Sequence, residues 1–128
     1  MLQYFQNKKG KDGEQVKKFL EEAAIVTNEA IIPEVWKMVF QAPQIAPEAK
    51  PGQFVNVQKT EGKTFLRRPF GIVDADTAAG TVTIIYRLVG KGTHEMAAMK
   101  PGETISVEGP LGEGLFTTAP GKALLVGG

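Results

Sequence analysis

From Pro33 onward, no long stretch of this chain escapes a glycine or a proline, and that punctuation confines it to short elements. Proline removes a backbone donor and fixes φ, while glycine weakens helices and favours turns. The segments between the breaks read as strands. "AAIVTNEAI" ends at Pro33, and "VWKMVFQA" stops at Pro43. In the second, Trp36, Met38 and Phe40 alternate with Val35, Lys37 and Val39. "QFVNVQ", "RPFGIVDA", "TVTIIYRLVG" and "ETISVEGP" continue the series, and "KPG" recurs at 50–52 and 100–102. Short strands at near-regular spacing between turn residues predict a closed or sandwiched all-β domain.

Two segments depart from that pattern. "THEMAAMK", 93–100, lies between strands and reads as one or two helical turns. "EQVKKFLEEAA", from Glu14, places Val16, Phe19, Leu20 and Ala23 at helical spacing, with Glu14 and Lys18 as an i,i+4 pair. The expectation is an N-terminal helix behind a polar, mobile lead-in over residues 1–13.

Composition narrows the chemistry. The net charge of +1 gives no global argument for nucleic acid or an anionic membrane. There is no cysteine, which removes disulfides, thiolate catalysis, and cysteine-held zinc or iron–sulfur centres. His94 is the sole histidine and cannot build a metal cluster alone, so neither a metal site nor a catalytic side chain is expected. No apolar run reaches transmembrane length, and the N-terminus lacks the apolar region of a secretory signal. A cytoplasmic protein is the expectation.

The sharpest local question is "FLRRPFGIVDA", where Arg67 and Arg68 sit inside an apolar, strand-like run. Pro69 biases Arg68 to an extended backbone, well suited to bidentate contact with phosphate. In a strand, Phe70 shares a face with Arg68. Gly90 and Gly92 precede the short helix, with Thr93 as its expected N-cap. Backbone N–H groups at such a turn form a ready anion site. The plainer alternatives stand beside this reading: solvated edge arginines over a core Phe70, and glycines that only end a strand.

Four segments, "LRRPFGI", "YRLVGKGTHEM", "KPGETISVEGPLGEGLF" and "ALLVGG", resemble the flavin-binding half of the ferredoxin–NADP⁺ reductase superfamily. Within it, the chain is most similar to the electron-transfer subunits of dihydroorotate dehydrogenase, which serve pyrimidine biosynthesis. The resemblance covers residues 22–128 and implies a six-stranded antiparallel Greek-key barrel with one short capping helix. With the N-terminal helical extension over 1–21, the barrel would span 22–120.

The resemblance implies FAD as cofactor and carries roles onto these residues. Arg68 would hold the pyrophosphate. Pro69 and Phe70 would lie along the isoalloxazine edge and ribityl chain. Gly71 falls where the family has a hydroxyl residue, so a backbone N–H would have to serve instead. Tyr86, Arg87, Leu88 and Val89 match the segment beside the ring and ribityl chain. Gly92 and Thr93 match the turn that gives N–H groups and a hydroxyl to the pyrophosphate. "GPLG", 109–112, matches the loop that leads to a pyridine-nucleotide domain, and Arg67 is left as a surface or partner-facing charge. "ALLVGG", within 121–128, would be the first strand of that next domain, absent here, through which NAD(P)H would bind. The implied function is electron transfer between NAD(P)H and an iron–sulfur or flavin partner, with a catalytic-subunit protein as partner. A non-catalytic barrel module with a degenerate flavin site is the alternative.

Overall fold

The computed structural model describes residues 6–9, 15–60, 67–114, 121–122 and 124. The strands are β1 (Gln6–Lys9), β2 (Gln15–Ile32), β3 (Val35–Gln41), β4 (Phe54–Lys59), β5 (Arg68–Asp76), β6 (Thr81–Arg87) and β7 (Thr104–Leu111). The helix α1 (Lys91–Ala97) lies between β6 and β7. Spatial order is β1-β2-β3-β6-β5-β4-β7, and β2 also pairs with β7. The strands from β2 to β7 therefore close an antiparallel six-stranded barrel, and β1 is appended to β2. The all-β barrel with one capping helix is as the sequence led us to expect.

Alternation builds the interior. Met38 and Phe40 of β3, Val55 and Val57 of β4, Val82 and Ile84 of β6, and Ile105 and Val107 of β7 are buried, with period 2 on each strand. Each large side chain of this kind contributes about 1.5–3 kcal/mol on burial. The two "KPG" stretches are one device used twice. Gln53 N–H donates to Lys50 O and Glu103 N–H to Lys100 O, both at 3.1 Å. Gly52 and Gly102 both have φ 92°, which a residue with a Cβ rarely adopts. In both copies the fourth residue's side chain also accepts the first residue's N–H, through Gln53 Oε1 (2.8 Å) and Glu103 Oε1 (3.1 Å).

The N-terminal helix is corrected. Residues 15–32 form one long strand, with Phe19 opposite Gly109 and Ala24 opposite Thr104. The buried positions are Phe19, Glu21, Ala23 and Ile25, a period of 2 in which one inward residue is a glutamate. That glutamate interrupts the apolar alternation and leaves an apolar spacing that imitates a helix. Glu21 is tolerated inside because its carboxylate accepts the N–H groups of Gln44 (3.2 Å) and Ile45 (3.0 Å). Those groups open the 3-10 turn Ala46–Glu48. Burial raises the Glu21 pKa, and the two backbone bonds only partly oppose this. Part of the expected lead-in is also strand: Gln6 pairs with Lys18 and Lys9 with Gln15. The remainder of 1–13 lies outside the described residues, as does most of "ALLVGG".

Candidate functional site: an anion cradle beside a split ladder

β5 carries Arg68, Phe70 and Ile72 on its more buried face, with Pro69, Gly71 and Val73 exposed. The β5–β6 ladder runs from Asp76–Thr81 to Ile72–Ile84 and stops there. Beyond it, Arg68 to Gly71 pair only with β4, and Ile85 to Arg87 only with β3. The two strands thus part at one end of the barrel. Ile72 donates its N–H to Gln53 O (3.0 Å), toward β4. Backbone groups alternate along a strand, so those of Gly71 turn the other way, into the split. Phe70 and Tyr86 meet edge to face across the interior, 5.9 Å between centroids at 63°.

The two neighbouring arginines have opposite environments. Arg67 is corrected from a surface or partner-facing charge. Its Nη1 donates to Ser106 O (3.2 Å) and its Nη2 to Ser106 Oγ (2.7 Å), so it clasps β7 across β4. Arg68 makes no hydrogen bond or ion pair among the described residues, and its Nε is buried without a partner. Its guanidinium lies against Gly92 Cα. A Cβ built on Gly92 would collide with Arg68 Nε and stand 2.6 Å from Cζ and 2.7 Å from Nη2. Only glycine leaves room for the arginine there. A buried donor with no acceptor is costly, and such an atom marks a place where an acceptor belongs.

Gly92 belongs to the first turn of α1. Gly90, not Thr93, is the N-cap. Thr93 sits three residues in, where its Oγ1 accepts the N–H groups of Val89 (2.9 Å) and Gly90 (3.2 Å). The same hydroxyl donates to Gly90 O at 3.0 Å. The threonine hydroxyl is therefore spent on shaping the turn and is not free for an anion. The first intrahelical bond runs from His94 N–H to Gly90 O at 3.1 Å. The N–H groups of Lys91, Gly92 and Thr93 precede it and have no helical acceptor.

The other residues singled out in the sequence fall around this cradle. Arg87 and Val89 are exposed, Leu88 is half-buried, and the Leu88 N–H donates to Glu34 O at 2.9 Å. Tyr86 is turned inward and 3% exposed, so its side chain packs in the core rather than along an open groove. Its hydroxyl donates to Asn28 Oδ1 at 2.7 Å, and burial lifts its pKa to about 12. Gly71 has nothing within 4 Å of a built Cβ, so its lack of a side chain is not a packing requirement. Gly109, Pro110 and Leu111 are not a linking loop but the end of strand β7. Sequence reasoning missed Val73 and Ile85, apolar yet 56% and 39% exposed. Their outward register in "GIVDA" and "TIIYR" was the available signal. It also missed Asn28, which strand patterning does not reveal.

Among the described residues no group of acidic or histidine side chains could hold a metal ion, and no helix is long and apolar enough to cross a membrane. A half-buried arginine whose Nε has no partner among the described residues, a glycine that makes room for it and the helix-start N–H groups thus lie together, an arrangement whose chemistry suits a phosphate-bearing ligand. Residues 22–116 match the model of the oxidoreductase FAD-binding domain. The chain belongs to that family.

Relatives and solved structures agree with this placement of the FAD-binding domain. The chain is 42% identical over 113 residues to the electron transfer subunit of dihydroorotate dehydrogenase B (NAD(+)) from Fusobacterium nucleatum, covering 85% of this chain and 44% of that protein. It is 37% identical over 106 residues to the corresponding subunit from Desulforamulus reducens, covering 82% and 40%. The chain thus spans less than half the length of these relatives. Among solved structures, it resembles the NADH-dependent reduced ferredoxin-NADP oxidoreductase studied for flavin-based electron bifurcation. There the TM-score is 0.67 at 33% identity, over 73% of this chain and 33% of that one. It also resembles a ferredoxin NADP+ reductase from Neisseria gonorrhoeae with bound FAD and NADP, at a TM-score of 0.58 and 26% identity, over 69% and 36%.

Proposed function

We propose that this domain holds FAD with its pyrophosphate between the Arg68 guanidinium and the N–H groups of Lys91, Gly92 and Thr93. The observation that carries the reading is the buried, unpartnered Nε of Arg68. A diphosphate supplies the acceptors that this donor and the helix start lack, and charge-assisted bonds of this kind are short and strong. The Gly71 N–H, turned into the split between β5 and β6, takes the place of the family's hydroxyl toward the flavin ring. Pro69, Val73 and Ile85 give the neighbourhood exposed apolar surface suited to a flat ring, and Arg87, Leu88 and Val89 border it. The intact cradle speaks against a degenerate site in a purely structural module.

Bound FAD would supply the chemistry of accepting a hydride and passing electrons on. The chain's own residues would bind, orient and partly shield it. Within a longer protein like its relatives, the domain would serve an electron-transfer subunit. That subunit would carry electrons between NAD(P)H and a catalytic-subunit partner with an iron–sulfur or flavin centre. The setting proposed is cytoplasmic.

Titration with FAD tests the reading. One equivalent should bind, with quenching of flavin fluorescence, and ADP should compete through the shared diphosphate. Binding of riboflavin as tightly as FAD, or no FAD binding at all, would overturn it.

A further inference from the structure

The proposed diphosphate site lies at one end of α1, and a single side chain from β2 holds the other end. Asn28 Nδ2 donates both of its hydrogens to carbonyls at the helix C-terminus, Met96 O (2.8 Å) and Met99 O (2.9 Å). Met96 O also accepts the Met99 N–H at 3.1 Å, so the amide adds a side-chain bond from β2 to that carbonyl and a second to Met99 O, just past the helix end. Asn28 Oδ1 accepts the Tyr86 hydroxyl at 2.7 Å. Two donors and one acceptor are all engaged, and the tyrosine fixes which way the amide faces.

A strand irregularity aims the side chain. Ile25 pairs with Phe40, but Thr27 pairs with Val39, so Val26 is an extra residue on β2. Simple alternation from Phe19, Glu21, Ala23 and Ile25 would send residue 28 outward. The bulge reverses the phase, and Asn28 pairs with buried Met38 and points inward. A strand that places a bulge two residues before an inward asparagine has traded regular pairing for that placement.

The contacts close a circuit. Arg68 lies on Gly92 at the start of α1, Asn28 holds Met96 and Met99 at its end, and Tyr86 joins Asn28 to Phe70, two residues from Arg68. The members sit on four elements, β2, β5, β6 and α1, with Met99 just past the end of α1. A seven-residue helix between two connecting segments has little stability of its own, so its orientation depends on tertiary anchors.

We infer that Asn28 is a positioning residue for the diphosphate part of the flavin site. By anchoring the C-terminus of α1, it sets the helix-start N–H groups at the distance from Arg68 that a diphosphate requires. This rests on the FAD reading above. It assigns a role to a residue far from the motif, which does not itself touch the ligand.

The test compares FAD with riboflavin, which keeps the ring and lacks the phosphates, in the wild-type chain, Asn28→Asp and Tyr86→Phe. Aspartate has nearly the same shape but cannot donate to the Met96 and Met99 carbonyls. Expected for Asn28→Asp is a loss of FAD affinity of about tenfold or more, the scale of a lost polar anchor, with riboflavin affinity held within about twofold. Amide hydrogen exchange at Lys91, Gly92 and Thr93 should quicken in the same variant without any ligand. Tyr86→Phe should show a smaller loss in the same direction, again for FAD only. Equal losses for both ligands, or unchanged FAD affinity in Tyr86→Phe, would overturn the inference, and the second result decides even if Asn28→Asp fails to fold. A wild-type chain that binds no FAD would instead sink the flavin reading itself.

Discussion

Arg68 occupies the space that any side chain on Gly92 would need, so the guanidinium keeps its present position only while residue 92 is glycine. Gly92→Ala should therefore displace the guanidinium while leaving the barrel intact. FAD affinity should fall roughly tenfold to a hundredfold, the scale of a lost charge-assisted contact. Circular dichroism should be unchanged. Wild-type affinity in Gly92→Ala would mean that the arginine does not bind the diphosphate from its present position.

The two adjacent arginines should separate cleanly. Arg68→Ala should weaken FAD by roughly tenfold to a hundredfold and scarcely alter the denaturation midpoint, because its guanidinium has no hydrogen-bond partner among the described residues. Arg67→Ala should leave FAD affinity alone and cost about 1 kcal/mol or somewhat more of stability, through the lost clasp on Ser106. Titration and urea denaturation on both variants check this. A loss of FAD affinity in Arg67→Ala equal to that in Arg68→Ala would contradict it.

Glu21 should give the fold a pH dependence of definite sign. Its folded pKa is raised above the ordinary 4.5, so the folded state holds the proton more tightly than the unfolded chain. The stability linked to this proton is fully present below 4.5 and is lost as pH rises through the raised folded value. Glu21→Gln lacks that titration. Its stability relative to wild type should thus climb over the same interval and then level off. Urea midpoints of both proteins across mildly acidic pH would show it, and a flat or falling difference would refute it. Glu21→Ala should be worse at every pH, since it strands the Gln44 and Ile45 N–H groups at about 1–3 kcal/mol each.

Gly71 should accept a side chain. Nothing lies within 4 Å of a Cβ there, and its φ is not in the left-handed region. Gly71→Ser should keep or raise stability, by up to about 1 kcal/mol from the stiffer unfolded chain. It should also retain FAD binding. A clear fall in the thermal midpoint would mean that the strand needs glycine for a reason beyond packing.

The barrel was legible because its evidence is local. Met38 with Phe40, Val55 with Val57 and Ile105 with Val107 each announce an inward face, and the two Lys-Pro-Gly turns announce reversals. β2 was misread because one inward position is filled by Glu21, whose burial depends on backbone donors more than twenty residues away. Charge alone could not rank Arg67 against Arg68. What separates them is Ser106 on one side and Gly92 on the other, both remote in sequence. Thr93 was recognised as part of the helix start but placed three residues off, because a threonine at the third helical position also caps the turn, by reaching back to the N–H of the N-cap residue. Asn28 gave no sign, since the bulge at Val26 that turns it inward exists only through the register with β3.

The pairing of β2 with β7 has a kinetic side. Phe19 meets Gly109, so the seam that closes the barrel joins nearly the two ends of the described chain. On a ribosome, β2 emerges before every other barrel strand and its partner β7 after them all. β3 can join β2 early through a tight hairpin, but the other edge of β2 must wait, its backbone donors and acceptors open to water or to a neighbouring chain. Closure over so long a loop carries a large entropic cost before any contact offsets it, which places this domain among slow, late-closing folders. Mutations at Phe19 or Gly109 should then slow refolding as well as speed unfolding, because closing the seam is part of the rate-limiting barrier.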